Sequence, residues 1–507
     1  MAGPFRRSGP WAIPLAFAAL KLLLHAAAVT HYGYFRDELY YIACSRHLAW
    51  GYVDQPPLSI LLLAAQRLLL GNSLPSLRLL PALSGAATVL LTGLLAREFG
   101  GGRLAQALAC LCVLLSPVYL AVDHFFSMNA FDTFFWTLAA FLLARALRKG
   151  RTGVWLAFGA VLGLGLLNKS SMIWFGGGAV FGLLLSGRYR LFAGRGIWLA
   201  ALLAIALFLP HVLWQIRHGW PTLEFMRNAT GEKMVHTSPV SFWMQQLLVL
   251  GPSSVSVWLV GLGWLLARRD RRPFGILFLA VALLLMASGT SRPNYLAVAY
   301  PALFAAGGVA WERVTDLRHR WLRPVVLAEV ALLGIPIVPL GLPILPVETE
   351  IAYTHRLGIG IRAQEHAREG PLPQIFADMF GWEELTRKVA AVYHDLPEAD
   401  RARCAIFASN YGEAGAIDFF GPRYGLPPAI SAHNSYWFWG PRGATGEVII
   451  YVGGRRNDPH ADFRSVELAD TTSDPYCMPF ENGAPILVCR GLGRPLGEVW
   501  KGIRRFE

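Results

Sequence analysis

Residues 34–58 read YFRDELYYIACSRHLAWGYVDQPPL. An adjacent acid pair, Asp37-Glu38, lies among Tyr34, Tyr40, Tyr41, Trp50 and Tyr52, and a further acid, Asp54, precedes Pro56-Pro57. Tyr and Trp have an apolar body and a polar tip, which suits a membrane–water boundary. Acids set among such rings, with Arg36 and Arg46 nearby, fit a polar site built at that boundary. A solvated loop with aromatic anchors fits the same residues, so the stretch alone leaves both readings open.

The flanking sequence fixes the setting. The chain has 507 residues, of which 54% are hydrophobic and 16% charged, and its mean hydropathy is +0.41. This balance excludes an ordinary soluble protein and points to a polytopic membrane protein. The formal net charge of +13 comes from basic residues scattered at segment ends. That pattern fits cytoplasmic loops better than a nucleic-acid patch. Six cysteines are too few for a disulfide framework, although Cys477 and Cys489 can pair in an oxidising compartment.

A spanning helix needs about 20 apolar residues. Eleven candidate segments lie near 11–30, 76–96, 104–122, 129–147, 153–168, 171–186, 196–214, 243–266, 274–290, 295–311 and 324–344. Residues 58–70 are apolar but short, and fit a helix lying in the interface. Arg6 and Arg7 precede the first segment in the manner of a signal peptide, but the later segments favour a retained first helix. With the N-terminus inside, every inner loop is basic. Arg97 and Arg103 occupy one; Arg145, Arg148, Lys149 and Arg151 the next; Arg188, Arg190 and Arg195 the third; Arg268, Arg269, Arg271 and Arg272 another; Arg313, Arg318, Arg320 and Arg323 the last. The outer segments then collect Asp37, Glu38, Asp54, Asp123, His124, Asn129, Asp132, Asn168, Lys169, Glu224, His236 and Arg292. Costly polar groups converging on one membrane face are functional candidates.

After residue 345 the apolar runs shorten. CAIFAS (404–409), EVIIYVG (447–453) and ILVCR (486–490) read as short buried strands. SNYGEAGAIDFFG (409–421) reads as a strand-to-helix turn. The expected architecture is therefore a polytopic α-helical membrane domain over 1–345, with about eleven transmembrane helices. A small extracytoplasmic α/β domain over 346–507 follows it.

Each candidate has a plain structural reading beside the functional one. Asp37 and Glu38 can supply a general base that takes the proton of an attacking hydroxyl. They can equally be loop carboxylates. Lys169, at the outer end of an apolar run, can pair with a phosphate or simply snorkel. Arg292, in SGTSRPNYL, can hold two phosphate oxygens at once or cap the next span. Asn129 and Asp132 are a turn apart on one helix face, where Asn129 also suits an N-cap. No Asp-x-Asp, P-loop or Gly-x-Ser-x-Gly motif occurs.

These residues resemble the GT-C membrane glycosyltransferases, in particular the bacterial branch of glycosyltransferase family 39. That branch includes protein O-mannosyltransferases, the lipid A aminoarabinose transferase and rhizobial lipopolysaccharide-core galacturonosyltransferases. The resemblance rests on DELYY at 37–41 and GYVDQPP at 51–57, and covers roughly residues 10–310. It implies that Asp37 is the catalytic base with Glu38 as its partner. It also implies that Lys169 lies in the family's Leu-Gly-Leu-x-x-Lys stretch, and that Arg292 to Tyr295 form its polar loop before a late span. The donor is then a polyprenyl-phosphate-linked sugar, with no metal required. The acceptor is an envelope glycolipid, glycan or protein outside the cytoplasmic membrane. Asp54, Asn129, Asp132, Tyr40 and Tyr295 complete the expected substrate-binding set.

The sequence departs from the family in three places. The aminoarabinose branch has arginine where Tyr40 stands and lysine where Gln55 stands. Asn129 occupies the place of a frequent aspartate, which Asp132 can replace from the next turn. The alternative from another class is a transporter or flippase for a lipid-linked substrate, which needs no base at position 37.

Overall fold

The computed structural model describes all residues except 1–8, 10, 318, 359–369 and 454–461. Arg6, Arg7 and Arg318 therefore lie outside the described residues. The apolar segments become helices close to the positions read from sequence, including Ala12–Ala28, Leu74–Glu98, Met128–Lys149, Thr152–Asn168, Met172–Leu185, Arg195–Arg217 and Arg272–Ala287. Leu58–Leu70 forms the short helix expected there.

Two expected spans are interrupted, and the last changes helix type. The third splits at Ser116 into Arg103–Leu115 and Pro117–Val122, because Pro117 cannot continue the ladder and instead starts a new helix. The eighth becomes Pro239–Leu250 and Pro252–Ala267, bent by 95° at Gly251, which has φ +81°. The last gives way to a 3-10 turn at Ile335–Leu340, where Pro336 and Pro339 remove backbone donors. Among the described residues, four helices are long and apolar enough to cross a membrane, or five if the bent pair is one span. Six shorter apolar helices accompany them. The chain is a mostly helical, multi-pass membrane protein.

The described chain forms two compact units. The first comprises Met1–Val29, Arg78–Val212 and His236–Ile344. Its helices approach closely where glycine removes the side chain. A Cβ on Gly261 would lie 2.1 Å from the Leu303 carbonyl oxygen, and one on Gly307 would lie 2.0 Å from that of Val257. The Val255–Ala267 and Tyr300–Leu317 helices thus meet backbone to backbone, as small residues allow inside a bilayer. A buried ion pair also ties this unit. Lys21 Nζ lies 2.9 Å from Asp123 Oδ2 and donates to the Tyr119 carbonyl at 2.8 Å. Both charges are out of solvent, so deleting either one leaves the other uncompensated.

The second unit comprises Thr30–Leu77, Leu213–Val235 and Leu345–Glu507. Its sheet has the order β1-β2-β4-β3, with β1 Cys404–Ala408, β2 Val448–Val452, β3 Phe463–Thr471 and β4 Pro485–Leu492. The β1–β2 pair is parallel and the other two pairs are antiparallel. A parallel pair needs a crossover, and the Tyr411–Phe420 helix lies in it. Phe407, Ile449, Tyr451, Cys489 and Trp500 form the core on one face. All six cysteines, Cys477 and Cys489 included, are free thiols.

Two helices of this unit run side by side in the same direction. Asp37 meets Tyr411, Leu39 and Tyr40 meet Gly415, and Arg46 donates to the Asp418 carbonyl at 3.1 Å. Gly415 makes the contact possible, since a Cβ there would lie 2.9 Å from the Leu39 carbonyl carbon. The N-termini of Arg36–Arg46 and Tyr411–Phe420 therefore lie together.

Candidate active site

The acid motif folds as a short helix, Arg36–Arg46, whose first turn carries Asp37 and Glu38. Neighbours in sequence, they have different surroundings. Glu38 is fully buried, and its Oε2 accepts from the Phe35 N–H at 2.9 Å, which closes the helix N-terminus. The Asp37 side chain keeps 29% exposure. Its Oδ1 accepts from the Tyr411 hydroxyl at 3.0 Å and lies 3.9 Å from Arg36 Nε. Among the described residues no hydrogen bond reaches Oδ2. The arrangement engages one carboxylate oxygen of a side chain that keeps contact with solvent, which suits a proton acceptor.

Tyr40, one turn on, donates to Asp54 Oδ1 at 2.8 Å and accepts from the Ser435 N–H at 3.2 Å. This bond joins the DELYY and GYVDQPP motifs. Burial, followed by the nearby Asp54 charge, pushes the Tyr40 hydroxyl well above its usual range, so Tyr40 stays a neutral donor. Arg36 holds Asp378, with Nη1 3.5 Å from Oδ1 and its backbone N–H donating to the Asp378 carbonyl at 2.9 Å. Below this layer lie two buried carboxyls. Glu413 accepts from Ser409 at 2.9 Å, and Glu481 accepts from Asn410 at 3.1 Å. Burial first, then the like charge of Glu481, raises Glu413 well above the carboxylate range. Burial raises Glu481 to about 7, against the pull of Arg36.

The remaining candidates lie in the helical unit. Lys169 ends the Thr152–Asn168 helix. Its ammonium donates to Asn129 Oδ1 at 2.7 Å, lies 3.3 Å from Asp132 Oδ2, and sits 5.3 Å from the centre of the Tyr295 ring. Asp132 also accepts from Ser171, which in turn accepts from the Trp136 indole at 3.2 Å. The side chain of Asn168 donates to the Met128 carbonyl at 2.9 Å. Ser127, not Asn129, caps the Met128–Lys149 helix by accepting from the Asn129 N–H. That leaves the Asn129 amide oxygen for the lysine. An ammonium has three N–H groups, and two face these acceptors. Arg292 is half-buried and precedes the Pro293–Ala299 turn that carries Tyr295.

The structure thus gathers Asp37, Glu38, Tyr40 and Asp54 in one unit, and Lys169, Asn129, Asp132 and Tyr295 in the other. Sequence reasoning missed Tyr411, Asp378 and Ser435. The capping pattern of Asn410 with Glu413 signalled a helix start, but nothing local tells that Tyr411 reaches a residue 374 positions away.

Comparison with known proteins finds both a local sequence match and a likeness of fold. Residues 54–214 match the family model of dolichyl-phosphate-mannose-protein mannosyltransferases. A curated relative, YkcB of Bacillus subtilis (strain 168), is 33% identical over 117 residues, which span 23% of this chain and 16% of that protein. The crystal structure of ArnT from Cupriavidus metallidurans superposes with a TM-score of 0.63 at 16% identity, covering 94% of this chain and 97% of that one. Its complex with undecaprenyl phosphate gives the same score at 15% identity. The oligosaccharyltransferase of Archaeoglobus fulgidus shares the fold more distantly, with a TM-score of 0.51 at 14% identity over 81% of this chain and 63% of that one. Residues 54–214 thus resemble that mannosyltransferase family, and the fold as a whole is similar to that of ArnT.

Proposed function

We propose that the chain transfers a sugar from a polyprenyl-phosphate carrier to a hydroxyl of an envelope glycolipid, polysaccharide or protein, on the outer face of the cytoplasmic membrane. Asp37 carries this reading, because one of its oxygens is engaged by Tyr411 and the other is left to accept a proton. As the acceptor hydroxyl attacks the anomeric carbon, its proton passes to Asp37. The bond from that carbon to the phosphate oxygen breaks, and the polyprenyl phosphate leaves with the electron pair. Direct displacement inverts the anomeric centre. Lys169 and Arg292 are the cations assigned to the donor phosphate, with Asn129, Asp132 and Tyr295 setting the lysine's position. Fixed cations suffice to stabilise a monophosphate leaving group, so the mechanism needs no metal. Glu38 supports the base by closing the helix that presents it, while Tyr40 and Asp54 brace the loop that follows.

The complex of ArnT with undecaprenyl phosphate supports the lipid class of the donor. The sugar is to be found by experiment. Purified protein in nanodiscs is given undecaprenyl phosphate carrying mannose, aminoarabinose or galacturonic acid, together with an envelope lipid and polysaccharide extract. Release of undecaprenyl phosphate with one donor, matched by a mass increase of one sugar in the extract, is the expected result. In sealed proteoliposomes, movement of an intact donor across the bilayer without release would instead show a flippase.

A further inference from the structure

Tyr411 comes from the sheet-bearing C-terminal segment, yet its hydroxyl ends on Asp37. We propose that Tyr411 is the positioning residue of the Asp37 base, so that the C-terminal segment is a working part of the catalytic centre. This inference rests on the assignment of Asp37 above.

The phenol is held on every side. Its ring centre lies 4.7 Å from that of Tyr40 and 4.9 Å from that of His433, and the Arg36 guanidinium sits 5.5 Å from it. Its own N–H donates to His433 Nδ1 at 3.3 Å, and His433 Nε2 lies 3.0 Å from the Glu507 carbonyl oxygen. Asn410 caps the helix start by accepting from the Gly412 and Glu413 N–H groups at 2.8 and 3.0 Å. Only 8% of Tyr411 is exposed. The hydroxyl of a tyrosine fixed in this way donates to Asp37 Oδ1 at 3.0 Å.

A carboxylate on a first helical turn otherwise rotates about its last torsion, which is broad. The Tyr411 bond restrains that rotation and leaves Oδ2 as the oxygen for the proton. Holding a reacting group in register is a large part of catalysis, and a displacement of about 1 Å can cost roughly a hundredfold. The proton taken from the acceptor goes to Oδ2, and the Tyr411 proton does not transfer. The bland reading is a tie that only anchors the Arg36–Arg46 helix to the sheet. Such a tie would affect stability and leave the chemistry untouched once the protein is folded.

The test is a double-mutant cycle on Tyr411→Phe and Asp37→Asn, using whichever of the undecaprenyl-phosphate mannose, aminoarabinose or galacturonic acid donors supports turnover. Tyr411→Phe should lower kcat by about ten- to a hundredfold, with the donor KM changed less than about threefold. The same substitution should have no further effect in the Asp37→Asn background. Two probes that keep the ring cover the case in which Tyr411→Phe does not fold. At position 411, 4-fluorophenylalanine fills the space without a donor and should lose turnover, whereas 4-aminophenylalanine supplies an N–H donor and should restore much of it. A normal kcat in the folded donor-free variants, or a loss that persists undiminished in Asp37→Asn, would overturn the assignment of Tyr411 while leaving Asp37 as base. Near-normal turnover in Asp37→Asn alone would instead remove the base reading and Tyr411 with it.

Discussion

Lys169 donates to Asn129 Oδ1 across 2.7 Å while Asp132 Oδ2 lies 3.3 Å away. The lysine is therefore no loose snorkelling chain. Two acceptors on one face of the Met128–Lys149 helix hold it in place, and Asp132 is itself buried. Replacing the cation should have two separable effects. Lys169→Gln keeps donors near both acceptors, so it should fold well and weaken donor affinity about ten- to a hundredfold, the value of one charge-assisted contact. Lys169→Ala should in addition lower stability by about 3–5 kcal/mol, because it strands the Asp132 carboxylate. Thermal unfolding in detergent and donor titration on the same preparations separate the two. Unchanged donor affinity in both variants would take Lys169 out of phosphate binding.

The buried carboxyls Glu413 and Glu481 make stability depend on pH. Both are raised in the folded protein, Glu481 to about 7. In the unfolded chain they titrate near the ordinary 4.5. Between these values the folded state binds more protons than the unfolded one, so stability falls as pH rises. The contribution is whole below about pH 4.5 and is lost as pH climbs through Glu481's value of about 7. Melting temperature should thus decline by several degrees from pH 5 to pH 8. Glu481→Gln, which cannot ionise, should flatten that slope. An equally steep slope in the variant would show that another group sets it.

The orientation expected from the basic loops has a direct probe. Arg387, on the Trp382–Asp395 helix, has a side chain 60% exposed. The native cysteines are buried or half-buried, so background labelling is low. Arg387→Cys should react with a membrane-impermeant maleimide in cells whose inner membrane is intact. Labelling only after the inner membrane is lysed would reverse the topology.

Helix positions were legible because lipid demands long apolar runs, and the chain supplies them. Breaks within spans were legible only as single prolines and glycines, such as Pro117 and Gly251, whose geometric effect depends on what packs around them. Strands β1, β2 and β4 showed as apolar runs because they are buried. Strand β3, FRSVELADT, was missed because it is an edge strand, largely exposed, and carries no apolar run. At the candidate site, the link from Tyr40 to Asp54 lies within one short stretch, residues 34–58, and its residues stood out. The linking of Lys169 to Asn129 and Asp132 spans about forty positions, so its members appeared as separate candidates. Tyr411 could not be found at all, since its meaning lies in a contact that exists only after the chain has closed 374 residues.

The central claim is that Asp37 accepts the proton of the attacking hydroxyl. Asp37→Asn keeps the size of the side chain and an acceptor oxygen for Tyr411, and removes the basic carboxylate. The most direct measurement takes turnover and donor affinity together on the purified, monodisperse variant, with the undecaprenyl-phosphate sugar that the wild type consumes. Turnover should fall by about 10²–10⁴-fold, the usual share of general-base catalysis, while donor affinity stays within about threefold of the wild type. Near-normal turnover in Asp37→Asn would contradict the account.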